Sequence, residues 1–123
     1  MQKQIIHHVF FWLKNASSIE DRDQLIEGLK TLGEIETVRN IHIGVPASTE
    51  PRPVVETTYS VSELLFFDDL GGQAEYQEHP IHKKFIEHCS HLWERVIVLT
   101  QRMYDILQKS KAISGIRLPC LLL

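Results

Sequence analysis

The chain has 123 residues, 43% of them hydrophobic and 24% charged, with a formal net charge of -3. These values describe a single globular domain with one core of modest size and exclude wholesale disorder. They also argue against nucleic acid as a partner, because phosphate binding needs a concentrated positive surface and no basic block occurs.

The opening run QIIHHVFFWLK, residues 4–14, is β-branched and aromatic without a breaker and predicts a strand. Alternation puts Ile5, His7, Val9, Phe11 and Leu13 on one face and Ile6, His8, Phe10 and Trp12 on the other. Both faces are apolar, so both should be covered. The run is broken by His7 and His8 and is followed by no small-residue cleavage site, so it reads as a strand and not as a signal peptide. No segment approaches the ~18 uninterrupted apolar residues of a membrane helix, and no membrane partner is expected. Two cysteines, Cys89 and Cys120, make no disulfide framework. A soluble, cytoplasmic protein is the expectation.

Ser17 and Ser18 offer a helix cap, with Glu20 and Asp21 in the first turn. Leu25, Ile26, Leu29 and Leu32 recur at helical spacing until Gly33 stops the run. A second strand is expected over 38–45, with Ile41, Ile43 and Val45 on one face, then a Pro/Ser/Thr-rich loop over 45–58. The third strand spans about 59–67. Asp68 and Asp69 cap a short helix through Gln77, and Pro80 suits the first position of another helix running to about Arg95. RVIVLTQRMY, up to Tyr104, predicts the last strand.

This order is β-α-β-β-α-β, an α+β, ferredoxin-like protomer: a four-stranded antiparallel sheet with helices on one face. Its other face would be left bare, and the doubly apolar first strand says that face is not meant for water. Pairing of two sheets across a two-fold axis covers it, so a homodimer forming an α+β barrel is expected.

On a helical wheel at ~100° per residue, Phe85, Ile86, Cys89, Leu92 and Trp93 gather on one face of the last helix. His82 falls inside that arc and His79 at its edge, while His88 and His91 lie outside. A lone inward histidine is more often a hydrogen-bonded core residue than a catalyst. Here His7 alternates with Val9 and Phe11, Tyr76 precedes His82 by six residues, and Glu63 shares a strand face with Val61, Leu65 and Phe67. Polar groups converging among apolar ones are the mark of a binding pocket. Strand parity alone leaves open which face meets the helices. As a metal site the pattern is poor, since His88-x-x-His91 finds no third ligand at a diagnostic spacing, and neither metal nor cofactor is expected. Cys89 reads as a buried, inert thiol. Trp12, Phe10 and Trp93 read as packing residues, the first two with an interface as the second choice.

Residues 105–123 form an extension ending Cys120-Leu-Leu-Leu, which formally fits a prenylation box but lacks a preceding polybasic run. A flexible or partner-packed apolar tail is the blander reading.

IHHVFFWLK near the start and AEYQEHPIHKKF after the third strand resemble the two signatures of the stress-responsive dimeric A/B barrel (Dabb) family. The likeness covers residues 4–104. It implies a ferredoxin-like protomer that dimerises, with the His7 face toward the helices. By analogy with a plant polyketide cyclase of that family, His7, His82 and Tyr76 would be catalytic. Val9, Glu63, His79 and Phe85 would contact the substrate. The chain departs from that cyclase at Val61, at Gly28 or Leu29, and at Glu63, so the cyclase reaction is not carried over. The expected function is binding of a small hydrophobic or aromatic molecule between sheet and helices. His82 would be a metal-free general base, His7 would orient the substrate, and Tyr76 would donate a hydrogen bond. The alternatives are a non-enzymatic, stress-associated dimer with a packed cavity, and a cofactor-free or haem-dependent monooxygenase.

Overall fold

The structure is a computed structural model and describes residues 4–104, so the extension expected over 105–123 lies outside the described residues. Strand β1 (Ile5–Leu13) leads into helix α1 (Ile19–Thr31), then β2 (Asn40–Gly44), β3 (Val61–Phe67), α2 (Leu70–Glu78), α3 (Pro80–Cys89) and β4 (Trp93–Arg102). The sheet order is β2-β3-β1-β4, antiparallel throughout. This is a ferredoxin-like fold with the second helical segment divided in two.

Local chemistry explains the boundaries. The Ser18 hydroxyl accepts from the Asp21 amide at 3.1 Å and starts α1. The Asp69 carboxylate accepts from the Gly72 amide at 2.8 Å and starts α2. At the joint between α2 and α3, His79 is extended (φ -66°, ψ 139°), as the residue before a proline must be, and Pro80 takes the first helical position.

The last helix is shorter than its periodicity suggests. It ends at Cys89, a 3-10 turn carries Ser90–Leu92, and Trp93 is the first residue of β4. Ser90 and His91 are mediocre helix formers. Extending the helix would also cost the strand pairing of Trp93 with Leu13 and of Arg95 with Trp12. Tertiary hydrogen bonding decides the boundary. The wheel still placed Phe85 and Cys89 correctly, and Trp93 reaches the same cluster from the sheet, its ring stacked on Phe85 at 5.7 Å. β2 is also shorter than expected, and Val45 lies beyond it, exposed.

The core fills the space between helices and sheet: Ile5, Val9, Phe11 and Leu13 from β1, Val61, Leu65 and Phe67 from β3, and Leu25, Leu29, Phe85 and Cys89 from α1 and α3. Each such side chain contributes roughly 1.5–3 kcal/mol by leaving water. The helices α1 and α3 touch at Gly28, where an added Cβ would lie 2.6 Å from Cys89 Sγ and 3.1 Å from the Phe85 ring. Only glycine permits this approach. The opposite sheet face carries Ile6, Phe10 and Trp12 half-buried, with Leu99 of β4 47% exposed. Among the described residues no helix is long and apolar enough to cross a membrane.

Candidate functional site

Four elements aim polar side chains into the layer between sheet and helices. β1 directs His7 inward with Val9 and Phe11, which answers the question that strand parity left open. The His7 side chain is buried, and its Nδ1 lies 2.9 Å from Thr100 Oγ1, the residue opposite it on β4. α2 places Tyr76 near its end, buried, and α3 places His82 on its first turn, half-buried. The Tyr76 ring sits between the two imidazoles, with centroids 5.8 Å from His7 and 4.6 Å from His82. β3 adds Glu63, which is 1% exposed and opposite Val9 in the β1 register.

His7, Glu63, Tyr76 and His82 line a cavity of about 240 Å3, together with Gln77 and the apolar Val9, Phe11, Phe85, Ile86, Trp93, Val96 and Val98. Six of the seven residues singled out in the sequence therefore meet at one place. His79 does not line it. Its Nδ1 instead accepts from the Ile81 amide at 3.1 Å, so the proton belongs on Nε2, which faces Glu36 Oε2 at 3.2 Å. His79 caps the helix that presents His82. Thr100 and Val98 went unrecognised in the sequence, although alternation from Val96 gives them the same face once the strand is known. A larger groove of about 460 Å3 runs between α1 and α3, but its walls include the exposed Glu27, Thr31, Lys84 and His88.

Burial dominates the electrostatics. It lowers the pKa of His7, and the neighbouring His82 lowers it further. Burial also lowers that of His82, against an opposing pull from the Gln77 backbone carbonyl and the Glu78 charge. Burial, then the proximity of Glu63, pushes the Tyr76 phenol far above its usual range. Burial alone raises Glu63 to about 8. At neutral pH the cavity thus holds two neutral imidazoles able to accept protons, and a phenol and a carboxylic acid able to donate them. The Cys89 thiol is buried and its pKa is raised by that burial, which disfavours the reactive thiolate. Among the described residues no group of three or more His, Cys, Asp or Glu side chains could hold a metal ion.

Comparison with known proteins agrees with this architecture. A Dabb family protein with a ferredoxin-like fold from Mesorhizobium loti is 22% identical with a TM-score of 0.69, over 85% of this chain and 100% of that one. A hydroxynitrile lyase from Passiflora edulis is 19% identical with a TM-score of 0.68, over 85% and 97%. A dimeric ferredoxin-like protein of unknown function from Thermobifida fusca is 17% identical with a TM-score of 0.67, over 84% and 93%. No curated protein matches the chain in sequence. The model of the stress responsive A/B barrel domain matches residues 5–100, and the chain belongs to that family.

Proposed function

We propose that the protein binds a small organic molecule in the cavity between sheet and helices and acts on it by metal-free proton transfer. The observation that carries this reading is the set of His7, Tyr76 and His82 rings around one cavity, with both imidazoles held neutral by burial. His82 is the general base, because a neutral imidazole on the cavity wall can accept a proton from a bound substrate. His7, steadied through Thr100, orients the substrate, and Tyr76 donates a hydrogen bond. The cavity is smaller than the roughly 300–1,000 Å3 of drug-sized sites. It suits a one-ring compound and not a macrocycle. A hydroxynitrile lyase shares the fold, so the fold hosts a lyase in at least one protein.

The test is solution NMR of the protein with acetophenone in heavy water, following both imidazole shifts and exchange of the ketone's methyl protons. The expected result is shifted His7 and His82 resonances and accelerated exchange that is lost in His82→Ala. Binding without accelerated exchange would leave a binding protein and not an enzyme. Absence of binding across a panel of one-ring ketones, acids and phenols would remove the reading altogether.

Self-association through the open sheet face belongs to the same proposal. Ile6, Phe10, Trp12, Leu64, Phe66, Ile97 and Leu99 make an apolar surface there, and the relative from Thermobifida fusca is dimeric. A cytoplasmic setting is proposed from the cysteine usage, which supplies no disulfide framework.

A further inference from the structure

Glu63 is an anomaly that proton transfer by His82 does not use. It lies on the central strand β3, flanked across the sheet by Val9 and Ile43, and its Oε2 has no hydrogen-bond partner among the described residues. A buried polar atom without a partner costs about 1–3 kcal/mol, and native proteins seldom tolerate one without a reason. Glu63 is also one of the residues that line the cavity shared by His7, Tyr76 and His82, with its Oε2 buried just behind that wall.

We propose that Glu63, as a neutral carboxylic acid, donates a hydrogen bond to the carbonyl oxygen of an uncharged, one-ring ligand in this cavity. The inference rests on the binding reading above and specifies the ligand's class. Size supports one ring: an apolar cavity of about 150 Å3 holds benzene, and this one offers about 240 Å3. Charge supports an uncharged ligand. The titratable groups on the wall are His7 from β1, Tyr76 from α2, His82 from α3 and Glu63 itself, and among the described residues no lysine or arginine lines it. A carboxylate ligand would lose its hydration with no cation to replace it. A carbonyl oxygen has a modest desolvation cost, and the acid form of Glu63, favoured up to about pH 8, supplies the donor it needs.

The experiment compares acetophenone with α-methylstyrene, which has the same shape with a methylene in place of the oxygen, and with benzoate. Dissociation constants are measured calorimetrically for the wild type, Glu63→Gln and Glu63→Leu from pH 6 to pH 9. The expected result at pH 6 is about fivefold or greater preference of the wild type for acetophenone over α-methylstyrene, the worth of one neutral hydrogen bond. In Glu63→Leu the preference should fall about fivefold, to what the remaining donors such as Tyr76 supply. Glu63→Gln, whose amide still donates, should keep the preference at every pH, while that of the wild type fades as pH rises through about 8.

A preference undiminished in Glu63→Leu, equal binding of both compounds by the wild type, or tighter binding of benzoate would each overturn the proposal while leaving the cavity reading in place. Failure of every compound to bind would overturn both. Should Glu63→Leu not fold, a wild-type preference with the same pH profile as that of Glu63→Gln would refute the role of Glu63.

Discussion

Replacement of Glu63 by glutamine should change the pH dependence of stability in a way that can be worked out in advance. Burial raises this carboxyl from its ordinary 4.5 to about 8. The folded state therefore binds a proton that the unfolded chain has already released, everywhere between those two values. The favourable contribution of the folded acid form is full below pH 4.5 and is lost as pH rises through about 8. At 1.36 kcal/mol per pH unit, the integrated loss between pH 5 and pH 8 is on the order of 3–4 kcal/mol. Glutamine has nearly the same shape and does not titrate, so the variant escapes this loss. Any fixed cost of seating the amide is the same at every pH and cancels from the slope. Urea denaturation of both proteins at pH 5, 6, 7 and 8 measures the difference. Glu63→Gln should gain about that same 3–4 kcal/mol relative to the wild type across the range. A difference between the two proteins that does not vary with pH would refute the claim that Glu63 is buried as the neutral acid.

The histidines titrate with the opposite sign. His7 and His82 have folded pKa values below 6.5, so the stability of their neutral forms is full above pH 6.5 and lost as pH falls through the folded values. Thermal denaturation from pH 7 down to pH 4 should show a smaller acid loss for His7→Gln than for the wild type. Gly28→Ala should destabilise by about 1–2 kcal/mol despite the better helix propensity of alanine, because its Cβ would meet Cys89 Sγ at 2.6 Å. A Gly28→Ala/Cys89→Ala double-mutant cycle, read by urea denaturation, should reveal favourable coupling between the two changes. On the open sheet face, Phe10→Asp should abolish self-association in sedimentation analysis while leaving the far-UV circular dichroism intact. A variant that sediments as the wild type does would refute pairing through this face.

Much of the fold is legible in the sequence because its signals are local. The alternation of Ile5, His7, Val9, Phe11 and Leu13 names one side of a strand, Ser18 and Asp69 mark helix starts, and Pro80 marks a joint. The end of α3 was not legible. The apolar spacing of Phe85, Cys89 and Leu92 suits a longer helix, and only the pairing of β4 with β1 makes Trp93 a strand residue.

The candidate site divides along the same line. By itself the sequence determined that His7 and Glu63 stand on strands among apolar neighbours and that His82 looks inward from a helix, because these follow from periods of two and 3.6 residues. The likeness to a known family then set the His7 face toward the helices. Only the tertiary structure decided that Tyr76 lies between the two imidazoles, that Thr100 holds His7, and that His79 serves as a cap outside the cavity. It alone shows that Glu63, a residue of the cavity wall, has its buried Oε2 without a partner among the described residues. Periodicity assigns a side chain to a face. Distance, burial and hydrogen-bond satisfaction depend on what the other elements bring to that face, and those elements come from residues as much as 93 positions away in the chain.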